Sequence, residues 1–224
     1  VAAFGVMPRE NRIPPIKIQY PQMRDATFDY TQKLPHKTIT KATCDELSNT
    51  LGTLICTPFP TGIRISSEKD ACSASEKFLR ENESLLGISA SNLHFEDAHL
   101  VMGKWVTHFR QREQKYDVIG SMVTLTITPD GNVYYIKSSA KPFVDVKGKF
   151  TLSQNDAVRS VLSYVEPQSH TLLEAQRMFA PMPTAEGYCA RACWWLKIRT
   201  IYPLGLYIAW VDASTGEILR ILDE

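Results

Sequence analysis

The chain has 224 residues, 44% hydrophobic and 22% charged, and its 25 Lys and Arg against 24 Asp and Glu leave a formal net charge of +1. That length suits one domain or two small ones with enough apolar residues for a core. The charge balance excludes the broad basic footprint of a nucleic-acid binder and an acidic tail. No apolar run approaches the ~20 residues of a membrane span. The chain begins at Val1 with no charged and apolar leader, as expected of a processed or trimmed chain.

Residues 1–35 hold five of the thirteen prolines: Pro8, Pro14, Pro15, Pro21 and Pro35. Proline removes a backbone donor and breaks helices, so an extended segment is expected over residues 1–45. Residues 51–65 read as short strand pieces with turns at Pro58, Pro60 and Gly62, and Ile63 and Ile65 alternate with polar residues. The spacing Ser67-x-x-Asp70 predicts a helix start resembling a capping box. Ala71, Ala74, Phe78, Leu79, Leu85 and Leu86 then recur at helical spacing, and Gly87 suits the C′ position.

Strands follow. Trp105, Thr107 and Phe109 share one face, and Val106 and His108 the other. Val123, Leu125 and Ile127 alternate with threonines, Pro129-Asp130-Gly131-Asn132 reads as a hairpin turn, and residues 133–136 return. Residues 139–149, with Pro142, Gly148 and alternating lysines, read as a linker. Ser153-x-x-Asp156 opens a second helix with the stripe Ala157, Val158, Val161, Leu162 and Val165, ended by Pro167. Trp194, Leu196 and Ile198 alternate with Trp195, Lys197 and Arg199. Residues 207–211 are strongly β-prone, and Asp212, Thr215 and Gly216 mark the last turn before a closing strand.

The order repeats. Ser67 and Ser153 are 86 residues apart, and Gly131 and Gly216 are 85 apart. Two markers at one offset predict two consecutive units of one architecture. The expected class is α+β, each unit a helix on an antiparallel sheet. Tryptophans and aliphatics on both strand faces around Trp194 and Trp195 fit a sheet buried on both sides.

The five cysteines, Cys44, Cys56, Cys72, Cys189 and Cys193, fit two disulfides and a leftover thiol in a secreted protein, or five thiols in a reducing compartment. Cys189 and Cys193 are expected to be bridged or placed on a loop. Four extended residues span roughly 13 Å, far beyond disulfide reach, so a bridge needs a turn there. Cys44 and Cys56 are the next candidate pair. His94 and His99 stand at i and i+5, about 140° apart on a helix and on opposite faces of a strand, unlike the i, i+4 pair of a zinc-peptidase helix. No metal site and no cofactor is expected. No GxSxG elbow, Walker loop or GxGxxG is present. These readings point away from catalysis.

Phe78-Leu-Arg-Glu-Asn-Glu-Ser-Leu-Leu-Gly-Ile88, Gly103-Lys-Trp-Val-Thr-His-Phe-Arg-Gln111, Tyr116-Asp-Val-Ile-Gly-Ser121 and the hairpin at residues 124–136 resemble the opening helix and strands of the FTP (fungalysin/thermolysin propeptide) family. The family's Gly-x-Pro turn is replaced by Tyr116-Asp117-Val118. Trp194-Trp-Leu-Lys-Ile198 and Trp210-Val-Asp-Ala-Ser-Thr-Gly-Glu-Ile-Leu219 resemble the PepSY-like unit that follows FTP in such propeptides. The resemblance covers residues ~50–224. It implies two cystatin-like units, an FTP-like domain at 46–140 and a PepSY-like domain at 150–224, after the extended segment 1–45.

It also implies a function: a non-catalytic propeptide acting as intramolecular chaperone and inhibitor of a thermolysin-like secreted metallopeptidase. The partner would be a cognate peptidase domain in the same precursor, and the location secreted or extracellular. The alternative is a non-enzymatic binding or spacer module of a larger exported or surface protein. The candidate binding residues are His108, Arg110, Gln111, Val118, Gly120, Trp194, Trp195 and Trp210. Asp130, Gly131, Asp212, Thr215 and Gly216 are expected to shape turns.

Overall fold

The computed structural model describes Ile18 and residues 20–224. Pro8, Pro14 and Pro15 lie outside the described residues. The chain divides into two compact units. The larger holds Tyr20–Val146 and Pro181–Ala190. The smaller holds Lys147–Ala180 and Arg191–Glu224.

In the larger unit the strands are β1 (Met23–Asp25), β2 (Ile39–Asp45), β3 (Leu51–Pro60), β4 (Leu93–Val101), β5 (Lys104–Glu113), β6 (Tyr116–Ile127) and β7 (Asn132–Ser138), with helices α1 (Thr27–Lys33), α2 (Glu68–Glu81) and α3 (Glu83–Leu86). They pair antiparallel in the order β1-β2-β3-β7-β6-β5-β4. Alternation explains the core: Val123, Leu125 and Ile127 of β6 and Phe109 of β5 are buried with Ala71, Ala74, Phe78 and Leu79 of α2. The Phe59 and Phe78 rings meet edge to face at 5.5 Å. Ser75 and Thr107, both buried, pair through their hydroxyls at 2.9 Å. The Ser67 hydroxyl accepts the Asp70 N–H at 3.2 Å, so α2 starts where the cap predicted. Gly87 ends α3 at φ +74°.

Gly131 has no alternative. Its φ is +77°, and a Cβ there would sit 2.0 Å from the Ile63 carbonyl oxygen. The β6–β7 turn is therefore closed on a neighbouring loop that only glycine admits.

In the smaller unit β11 (Gly205–Asp212) pairs antiparallel with β10 (Gly187–Ile201) and with β12 (Ile218–Asp223). α4 (Gln154–Val165) packs on β11. Its Ala157, Val158, Val161 and Val165 are buried, as are Leu196, Ala209 and Ile221, which stand side by side across three strands. Ser153 and Asp156 form a full capping box, each side chain meeting the other's backbone N–H at 3.2 Å. Ser153→Ala is expected to cost about 1 kcal/mol of stability, measured by urea unfolding. A change within about 0.5 kcal/mol, the scatter of neutral surface substitutions, would count against the cap.

The expectation of two consecutive cystatin-like helix-plus-sheet units is overturned. The two remaining strands are β8 (Phe143–Lys147) and β9 (Ser169–Thr184). All twelve strands enter one hydrogen-bonded series, β1-β2-β3-β7-β6-β9-β10-β11-β12, with β5, β4 and β8 branching from it. Only four α-helices, all short, accompany them among the described residues. The sixteen-residue β9 is the element that breaks the expected pattern. Residues 139–149, read as a linker, contain β8. The stretch read as extended contains α1, whose Tyr30 is buried.

Candidate functional site

The larger unit carries the sequence-predicted strand residues: Arg110, Val118 and Gly120 line one cavity, Gln111 lines another, and His108 lines neither. His108 on β5 meets Asp97 of β4 at 2.6 Å. Arg110 is hydrogen-bonded to Glu96 and lies 3.6 Å from Asp117, which also accepts from Arg112 at 2.6 Å. Glu96 holds the Arg110 guanidinium pKa above its ordinary value, against partial burial. Past Arg110 the register of β5 on β6 slips. This irregularity places Arg110, Val118 and Gly120 around one cavity of about 300 Å³, shared with Ser121, Thr124 and Lys137. Val118 is buried, and Gly120 adopts φ +67°.

Gln111 faces a second, larger cavity of about 670 Å³. Its side chain is a brace: the amide nitrogen donates to the Lys141 carbonyl at 2.7 Å, and the amide oxygen accepts the Lys141 N–H at 2.9 Å. Lys141 in turn reaches Asp45 at 2.6 Å and stacks 4.9 Å over the Tyr188 ring. The Tyr188 hydroxyl donates to the same Asp45 oxygen at 2.9 Å. Burial works to raise the Asp45 pKa. Lys141, Ser48 and Tyr188 outweigh it and hold the carboxyl below its ordinary range. Burial, then the bond to Asp45, push the Tyr188 phenol up. Asp45, Lys141 and Tyr188 escaped the sequence reading because 96 and 143 residues separate the partners, and no local period links them.

The cavity wall beside Gln111 is apolar at Ile88, Leu93, Pro142, Phe143 and Val146. Glu83 and Glu113 bring carboxylates to it. Glu83 is fixed in place by the Ala90 N–H at 2.7 Å and the Ser89 hydroxyl at 3.1 Å. None of the lining residues is a His or a Cys.

In the smaller unit, Trp194 is buried and donates its indole N–H to the Leu152 carbonyl at 3.0 Å. Arg177 lies 5.1 Å from its ring. Trp195 stands opposite Trp210 on the other face, half-buried, and Arg220 covers the buried Trp210 at 4.9 Å. Asp212 shapes the last turn. One carboxylate oxygen accepts the Ser214 and Thr215 N–H groups at 2.8 and 2.7 Å, and the other meets Arg191 at 2.6 Å. Burial opposes ionisation there, but these donors keep the pKa low. Gly216 completes the turn at φ +77°, its N–H donating to the Asp212 carbonyl at 3.0 Å. Asp130 is exposed in the other hairpin turn.

None of the five cysteines is in a disulfide. Cys189 and Cys193 lie in one uninterrupted strand, β10, which carries neither the bridge nor the loop expected of them. Cys44 stands opposite Leu51 and Cys56 opposite Ile39, so that pair is offset along the ladder rather than facing. Burial pushes the Cys44, Cys56, Cys72 and Cys193 thiols up, away from nucleophile chemistry. Among the described residues no group of three His, Cys, Asp or Glu side chains is placed to hold a metal ion. No helix among them is long and apolar enough to cross a membrane.

The chain matches no protein-family model and no curated protein sequence. Among solved structures, the Bacillus megaterium YpeB C-terminal domain is 12% identical, with 89% of this chain and 98% of that chain covered and a TM-score of 0.37. A provisionally assigned lipoprotein of Clostridium difficile 630 is also 12% identical, with 73% of this chain and 99% of that chain covered and a TM-score of 0.25.

Proposed function

We propose that the chain is a non-catalytic, PepSY-type propeptide module of an exported or surface protein. In this reading it is intramolecular chaperone and inhibitor to a thermolysin-like metallopeptidase domain of the same precursor. The observation that supports the reading is the cavity of about 670 Å³ beside Gln111. Its size suits a bound segment, one side of it is apolar, and the Gln111–Lys141–Asp45 chain of hydrogen bonds braces the backbone beside it. A preorganised wall reduces the ordering cost of binding. A module that binds only the native peptidase stabilises it by mass action, and tethering lets modest affinity suffice.

The test is to unfold the peptidase domain and refold it with and without this chain added in trans. The chain is expected to raise the recovered activity and, with the folded enzyme, to inhibit peptide hydrolysis at micromolar concentration. Neither effect at that concentration overturns the reading.

A further inference from the structure

We infer that the cavity beside Gln111 takes the basic side chain, Lys or Arg, of the partner polypeptide. The inference rests on reading this cavity as the partner site. Lysine and arginine join a cationic head to an aliphatic stem, and such side chains lay the stem on apolar surface while the head seeks an anion. The cavity supplies both halves. Ile88, Leu93 and Val146 offer an aliphatic wall, and Phe143 adds an aromatic one.

Charge decides the sign of the ligand. Two carboxylates, Glu83 and Glu113, line the cavity. One oxygen of Glu83 is occupied by Ala90 and Ser89, which aims the group without neutralising it. Glu113 is half-buried in β5 and, among the described residues, takes part in no ion pair. The lining has one cation, Lys141, and its ammonium is engaged by Asp45 at 2.6 Å and by the Tyr188 ring. Only the Lys141 backbone faces Gln111, and both ends of the Gln111 amide are occupied there. Lys115, in the turn after Glu113, lies 5.4 Å from the Tyr116 ring and is not part of the lining. The cavity is therefore net acidic with an apolar wall, and its volume of about 670 Å³ admits a side chain with its flanking backbone.

The experiment uses the ¹⁵N-labelled full chain and a capped pentapeptide, Ac-Ala-Leu-Lys-Leu-Ala-NH2. Two further peptides carry norleucine or glutamate in place of the lysine, and cadaverine serves as a free amine. The lysine peptide is expected to shift the amide resonances of Gly87, Gln111 and Glu113 in a saturable way. The norleucine and glutamate peptides are expected to bind at least about tenfold more weakly, as loss of one charge-assisted hydrogen bond implies. Glu113→Gln should weaken the lysine peptide by about tenfold and leave the dispersed spectrum of the folded chain intact. Equal binding of the norleucine peptide, shifts that map elsewhere, or cadaverine binding as tightly as the lysine peptide would each overturn the inference. A lysine peptide that binds here, in a chain that neither assists nor inhibits the peptidase, would sink the proposed function and leave the site chemistry standing. A chain that inhibits the peptidase without binding the lysine peptide at this cavity sinks the inference alone.

Discussion

Asp45→Ala is expected to destabilise the larger unit by about 3–5 kcal/mol. Asp45 is 1% exposed and accepts from five donors. These are the Lys141 ammonium at 2.6 Å, the Tyr188 hydroxyl at 2.9 Å, the Ser48 N–H and hydroxyl, each at 2.9 Å, and the Leu47 N–H at 3.1 Å. Alanine would leave the Lys141 ammonium buried without its anion, which is the costly half of breaking such a pair. Replacing both partners, as Asp45→Ala with Lys141→Met, removes the stranded charge and should recover part of the loss. Urea unfolding of the two variants against the parent chain measures this. A single-variant loss below about 1 kcal/mol, the range of an exposed ion pair, would refute the role given to Asp45. Acid acts through the same group. Folding lowers its pKa, so its contribution is complete above roughly pH 5 and disappears as pH falls through the folded value.

What the sequence disclosed and what it hid divide along a physical line. The two helices α2 and α4 start at their predicted serines, because a cap and a 3.6-residue stripe are local signals. β5, β6 and β7 were legible for the same reason: Phe109, Val123, Leu125 and Ile127 alternate cleanly toward one core. β9 was not. Its first nine residues, Ser169 to Arg177, contain no buried side chain, so no face imposes a period of two on the sequence. The resemblance implied two helix-plus-sheet units of one architecture, and the series of twelve strands does not repeat that pattern.

The candidate sites show the same limit. Arg110, Val118 and Gly120 were singled out, and they do meet at one cavity. What brings them together is an irregular register between β5 and β6, a feature with no signature in the residues themselves. Gln111, a candidate partner contact, lines the larger cavity and also braces the Lys141 backbone. The larger cavity depends on pairings across tens of residues, and only the folded chain creates them.

Trp194→Ala is expected to destabilise the smaller unit by about 3–5 kcal/mol, the range for emptying a buried aromatic site. Trp194 is 7% exposed. Arg177 lies 5.1 Å from its ring and 5.7 Å from the ring of Phe150, which meets Phe179 edge to face at 5.8 Å. The indole N–H holds the Leu152 carbonyl at 3.0 Å, one residue before the Ser153 cap of α4. Trp194 therefore fixes the entry of α4 as well as filling the core. Trp194→Phe keeps most of the ring and loses the hydrogen bond, so it should cost about 1–3 kcal/mol, the penalty of leaving a shielded carbonyl unpaired. Combining Trp194→Phe with Ser153→Ala tests the coupling, because residues that fix one helix start should not act independently. A double variant less destabilised than the two single losses together is the expected result in urea unfolding. Strict additivity would mean that the indole supports the core without fixing the cap.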